Sequence, residues 1–182
     1  MGHYLIIGGS GGIGSALARA LKAEGHTLHL TGRDVSRLQA IATETGATFT
    51  VGDVLDQGFI ASAVLEAGPV LDGLAYCAGT INLKPLARLT DEDFRHDHAV
   101  NALGAVQTIQ AALPALKAAS GTASILLFSS IAAAQGFALH ASISMAKGAI
   151  EGLTRALSAE LAPKIRVNAI APSLTDTPLA KA

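Results

Sequence analysis

The chain has 182 residues, half of them hydrophobic, and 13 basic against 14 acidic side chains leave a formal charge of −1. That length suits one domain with a real core, and the balanced charge offers no electrostatic footprint for nucleic acid or an anionic membrane. A single cysteine, Cys77, excludes an intrachain disulfide and fits a reducing cytoplasm.

The first residues run straight into a strand, Tyr4-Leu5-Ile6-Ile7, so no signal peptide is expected. A glycine-rich turn follows, Gly8-Gly9-Ser10-Gly11-Gly12-Ile13-Gly14, and then an amphipathic helix from Ser15 to about Leu21. Residues 27–30 read as a second strand, 36–44 as a helix closed by Gly46, and 47–51 as a β-branched third strand. A helix is predicted over 57–66, broken by Gly68-Pro69, and a fourth strand over 71–77. Thr90-Asp91-Glu92-Asp93 is an N-cap with an acidic first turn, opening a long helix to about residue 117. Pro114 is expected to kink that helix or end its regular part. Residues 124–128 form a continuous apolar strand, 145–161 an amphipathic helix stopped by Pro163, and 165–170 a sixth strand. No apolar run is read as a membrane span, and no repeat, linker or low-complexity tract interrupts the pattern.

Alternating strands and helices imply an α/β fold, with a parallel sheet covered on both faces. Ligands in such sheets bind at the carboxyl ends of the strands. The glycine turn lies at the first of those ends. It removes side chains where a backbone must come close to a ligand, and it aims free helix N–H groups at a phosphate. The reading is a dinucleotide pyrophosphate site.

Several motifs at strand ends together resemble the short-chain dehydrogenase/reductase family over nearly the whole chain. Gly8, Gly12, Ile13 and Gly14 match its cofactor loop, with Ser10 and Gly11 between them; Ile7 stands where the family usually has Thr. Asp53 and Val54 fall where the family touches adenine. Ala78 and Gly79 keep the second half of an Asn-Asn-Ala-Gly motif whose first half is Tyr76-Cys77 here. Asn101, Ser130 and Lys147 match the active-site Asn, Ser and Lys, and Pro172 and Thr177 match the segment beside the nicotinamide. The resemblance implies a Rossmann doubly wound sheet in the order 3-2-1-4-5-6 over a single domain, residues 1–182, without the family's seventh strand. It implies hydride exchange between a nicotinamide cofactor and a small carbonyl or alcohol. It also implies a homodimer through the two long helices.

The chain departs from the family at Ile143, four residues before Lys147, where the family has its catalytic Tyr. An isoleucine cannot carry a proton, so the role passes to Lys147 acting through a water, or to His140, three residues upstream. The alternative is a dinucleotide-binding module without hydride chemistry. The family also continues past Thr177 with a substrate-covering segment, whereas this sequence stops at Ala182, by nature or by truncation. For the cofactor, Gly32 occupies the position where an NAD enzyme has an acidic residue, and Arg33 follows it. A guanidinium there suits a 2′-phosphate, so NADP(H) is expected. Asp34 keeps NAD(H) open as a 2′-hydroxyl partner. Asp53 and Ser130 also admit plainer readings, as caps of the turns that follow their strands. His96 and His98 are spaced onto different helix faces, which argues against a metal pair.

Overall fold

Six strands form one parallel sheet in this computed structural model, which describes residues 1–56 and 58–181. They are β1 (His3–Ile7), β2 (Thr27–Gly32), β3 (Thr48–Val51), β4 (Gly73–Tyr76), β5 (Ala123–Phe128) and β6 (Ile165–Ile170). Their order is β3-β2-β1-β4-β5-β6. The helices between them are α1 (Gly12–Ala23), α2 (Val35–Thr45), α3 (Phe59–Ala67), α4 (Asp91–His98), α5 (Gly104–Lys117), α6 (Ile131–Gln135) and α7 (Ala141–Leu161).

Period-two alternation divides the core between the two faces of the sheet. Leu5 and Ile7 of β1 join Leu74, Ile125, Leu127 and Val167 under α3, α5 and α7. Ile6 points the other way, to Leu28, Leu30, Ala18 and Leu38 under α1 and α2. Each fully buried Leu or Ile contributes about 1.5–3 kcal/mol relative to exposure. Every strand therefore delivers its carboxyl end to one rim of the sheet, where the predicted site residues lie.

The structure corrects several boundaries. Of the helix predicted over 57–66, Gln57 lies outside the described residues and α3 runs from Phe59 to Ala67. The helix predicted from 145 begins at Ala141, so Ser142 and Ile143 are helical and buried. Leu139, with a φ of 69°, turns the chain just before this start. The predicted helix over 91–117 is α4 and α5 joined by a π-helical turn at Ala99–Leu103. Pro114 does not end α5; it and Gln110, whose carbonyl loses its helical donor, are both exposed. The short α6 was not foreseen; the Ser130 hydroxyl caps it, accepting from Ala132 N–H at 3.2 Å. By length and composition alone Asp91–Lys117 could cross a bilayer, although Asn101, Gly104, Gln107 and Gln110 interrupt its apolar run. In the fold Ala105, Ile109, Ala112 and Leu116 put its apolar side into the core.

Candidate active site

The glycine turn leaves β1 and is pinned to β2, where Gly9 N–H donates to the Thr31 carbonyl at 2.7 Å and Gly8 N–H to Thr31 Oγ1 at 3.3 Å. Gly8 has a φ of +77°, and a Cβ there would sit 2.8 Å from Ala78 N. A Cβ on Gly14 would strike the Gly8 carbonyl oxygen. Gly11 stands at the N-cap of α1 and supplies no side-chain cap. The first amides of α1 thus face the rim of the sheet without a capping oxygen, in a cradle that side chains would fill. These features fit a pyrophosphate.

A cavity of about 420 Å³ opens over this turn. Gly8, Ser10, Gly11, Gly12 and Ile13 line its floor, and Ala78 and Gly79 its inner wall. Thr177 and Pro178 fold across it, close enough that a Cβ on Gly12 would meet Thr177 Cγ2 at 2.6 Å. Gly14 supports the turn from below, and Pro172 accepts from Ile131 N–H at 3.2 Å, which ties the sixth strand's exit to the fifth's.

At the outer end Arg33 pairs with Asp53 at 3.2 Å. Asp53 also accepts from Leu55 N–H at 3.0 Å, so it caps the turn after β3 as well as lining the cavity beside Val54. Asp34 is the N-cap of α2, accepting from Arg37 N–H at 3.0 Å. Arg37 then lies on the first turn of α2 and joins Arg33 in the cavity wall, a residue the sequence reading missed. A helix whose first turn opens at a strand's carboxyl end places any early cation there. A Cβ on Gly32 would meet the Ser10 hydroxyl.

Around Gly79 the chemistry gathers. A Cβ on Gly79 would stand 2.9 Å from Asn101 Oδ1 and 3.6 Å from Lys147 Nζ. Lys147 Nζ donates to the Phe128 carbonyl at 2.8 Å. Burial, the dominant cause, pulls this ammonium down to about 8. The Cys77 thiol is itself pushed up to about 12 by burial, so it is neutral. Ser130 follows β5; its oxygen caps α6, and its O–H remains able to donate. Ile143 is 5% exposed.

Two groups do not stand in for the absent phenol. Tyr76 donates its hydroxyl to the Val100 carbonyl at 2.6 Å, and burial raises its pKa further. His140 Nδ1 bonds the Ala138 carbonyl at 2.7 Å, and the ring packs edge-on against Phe137. Those partners hold it on the loop before α7; like Ser130, Asn101 and Lys147, it does not line the 420 Å³ cavity. Among the described residues no group of three His, Cys, Asp or Glu side chains could hold a metal ion. His96 lines the cavity and His98 does not. A second cavity, about 470 Å³, runs between α3 and α5 past Leu103 and Gln107, and of the predicted site residues it takes in only Val54.

The parallel sheet, the glycine cradle and the residues converging on Gly79 define a dinucleotide-binding Rossmann protein. The chain belongs to the short-chain dehydrogenase/reductase family: residues 8–182 match the family model described as enoyl-(acyl carrier protein) reductase. It is 38% identical over 186 residues to a 3-dehydrosphinganine reductase of Arabidopsis thaliana, covering 97% of this chain and 56% of that protein. The chain therefore spans a little over half of that relative. A 3-ketoacyl-(acyl-carrier-protein) reductase of Brucella melitensis, solved with NADH, superimposes with a TM-score of 0.92 at 26% identity, over 99% of this chain and 78% of that one. An actinorhodin polyketide ketoreductase solved with NADPH gives a TM-score of 0.89 at 30% identity, over 98% and 72%.

Proposed function

We propose that this chain is an NADP(H)-dependent oxidoreductase acting on a small carbonyl or alcohol, with Lys147 as its proton carrier. When bound, the nicotinamide supplies or accepts the hydride. The glycine cradle and the start of α1 would hold the pyrophosphate, and Arg33 and Arg37 the 2′-phosphate. Ser130, whose O–H is left free to donate by its capping bond, would donate to the substrate carbonyl oxygen. The three relatives named above all carry the name of a keto-group reductase, which supports the substrate class.

The observation that carries the proton assignment is Lys147 beside Gly79, pulled down to about 8 in a site where Ile143 has displaced the phenol. An acid with a pKa near the working pH is mostly charged at neutrality and still releases its proton readily. Asn101, whose Oδ1 lies 2.9 Å from where a Cβ on Gly79 would stand, would help fix the wall beside the substrate.

The free thiol of Cys77 supports a cytoplasmic setting. Dimerisation through the long helices is supported by α7, where a Cβ on Gly148 or Gly152 would meet nothing within 4 Å and Met145 is half exposed. Glycines four apart allow a facing helix to approach closely.

The test is NADPH consumption with a panel of ketones, aldehydes and quinones. Turnover abolished by Lys147→Ala, and raised about 10²-fold or more by Ile143→Tyr, is the expected result. The buried Ile143 favours one second reading, a dinucleotide-binding module without turnover. Tight NADPH binding with no oxidation of the nucleotide on any substrate would select it.

A further inference from the structure

The loop after β4 wears its polarity inside out. Asn82 and Lys84 turn towards α4, where Asn82 Nδ2 donates to Asp93 Oδ1 at 2.9 Å and Lys84 Nζ to the same oxygen at 2.7 Å. The apolar residues that alternate with them, Ile81 and Leu83, are left exposed. On the loop before α7, Phe137 and Leu139 are exposed as well. Leu139 has a φ of 69°, a backbone conformation costly for a bulky side chain. Single apolar side chains on a surface need no explanation, whereas a contiguous group marks a binding site. Hydrogen bonds bring these four to one place. Lys84 N–H donates to the Leu139 carbonyl at 3.2 Å. Thr80 Oγ–H and Ser142 Oγ–H donate to the two side-chain oxygens of the buried Asp97, each at 2.6 Å. The two loops therefore run side by side from Thr80 and Ser142 to Lys84 and Leu139.

The apolar strip on these loops begins at the chemistry. Gly79 precedes Thr80, and a Cβ there would stand 3.6 Å from Lys147 Nζ. Ser142 opens the helix that carries Lys147. Residues 79–85 and 136–142 hold one fixed charge, Lys84, and Asp93 already pairs with it at 2.7 Å. His140 lies edge-on to Phe137, and its Nδ1 bonds the Ala138 carbonyl. A carboxylate or phosphate laid on this strip would lose water and find no free fixed charge there. A hydrocarbon chain would instead take its own surface and that of four side chains out of water. Continuity with the reacting end selects the substrate's own chain, rather than a second copy of the protein, as what covers the strip.

We propose that Ile81, Leu83, Phe137 and Leu139 set substrate specificity, and that the substrate is a ketone or secondary alcohol bearing an uncharged alkyl chain. The chain lies along the strip and the oxygen-bearing carbon sits at the Gly79 end, near Lys147. This inference rests on the oxidoreductase reading for which end of the substrate reacts.

The test is a titration of the intact chain with 2-butanone, 2-hexanone and 2-octanone, with binding read by saturation-transfer NMR in the presence of NADP⁺ and without nucleotide. Kd is expected to fall about threefold for each added methylene, roughly 80-fold across the series. Leu83 and Phe137 are each 47% exposed, so Leu83→Ser and Phe137→Ser remove apolar surface without opening the core. Both variants are expected to bind 2-butanone as the parent does and to lose most of the dependence on chain length, with NADPH binding unchanged. An affinity for the parent that ignores chain length, or a dependence that the folded variants keep, overturns the proposal. If one variant does not fold, the other decides. A dependence kept in Leu83→Ser together with a lost dimer by light scattering would assign the strip to an interface between copies, and would also overturn it. Binding that follows chain length with no oxidation of NADPH leaves the strip standing and removes the oxidoreductase reading. Oxidation of NADPH at rates indifferent to chain length keeps that reading and overturns the strip.

Discussion

His29 shows how burial sets a charge in this protein. It is 1% exposed inside the sheet, with its ring nitrogens on Thr48 Oγ1 at 2.8 Å and Thr50 Oγ1 at 2.9 Å. Burial lowers its pKa from 6.5, partly offset by Glu66. The unfolded chain takes up this proton at a higher pH than the folded chain does. The His29 contribution is therefore whole above about 6.5 and is lost as pH falls through that value. Thermal unfolding followed from about pH 7.5 to 5 is expected to show a falling midpoint, and His29→Gln a flatter dependence. A parent midpoint that does not fall would contradict this account of the side chain. Lys147 obeys the same rule in a different place, where burial brings an amine towards neutrality.

The junction of α4 and α5 is held in part by a contact from β4. Tyr76, at the end of β4, gives its hydroxyl to Val100, a carbonyl inside the π-helical turn, and a side chain on Gly104 would collide with that hydroxyl. Tyr76→Phe leaves the buried carbonyl without this donor and is expected to cost about 1–3 kcal/mol in urea unfolding. A variant as stable as the parent would show that the turn does not need the phenol. This contact also marks where sequence reading stops. Strand cores and helix faces were legible because apolar residues repeat at two or at 3.6 positions, and residues just after strands stood out as site candidates. Tyr76 gave no such signal, because its partner is a main-chain atom 24 residues away whose availability depends on an irregular turn. Asp97 was missed although it lies four residues before Asn101 on the same helical face, since an isolated Asp reads as surface until its burial is known. Pro114 drew attention to the wrong end of the helix. The early start of α7 was hidden because Ser142 and Ile143 reveal themselves as inward-facing only against α4.

The ends of β1, β2, β3 and β4 and the segment at Thr177 together line the proposed nucleotide cavity. The open glycines of α7 make the proposed dimer testable. A Cβ on Gly148 meets nothing within 4 Å, so for Gly148→Leu the expected outcome is a folded monomer, against a dimer for the parent, by light scattering at micromolar concentration. A monomeric parent would refute the interface. The first experiment to perform is a parallel titration with NADPH and NADH, followed by nucleotide emission because the chain has no tryptophan. The account expects NADPH to bind more tightly, with Arg33→Ala weakening NADPH about tenfold and leaving NADH unchanged. Binding of neither nucleotide, or tighter binding of NADH, would contradict it.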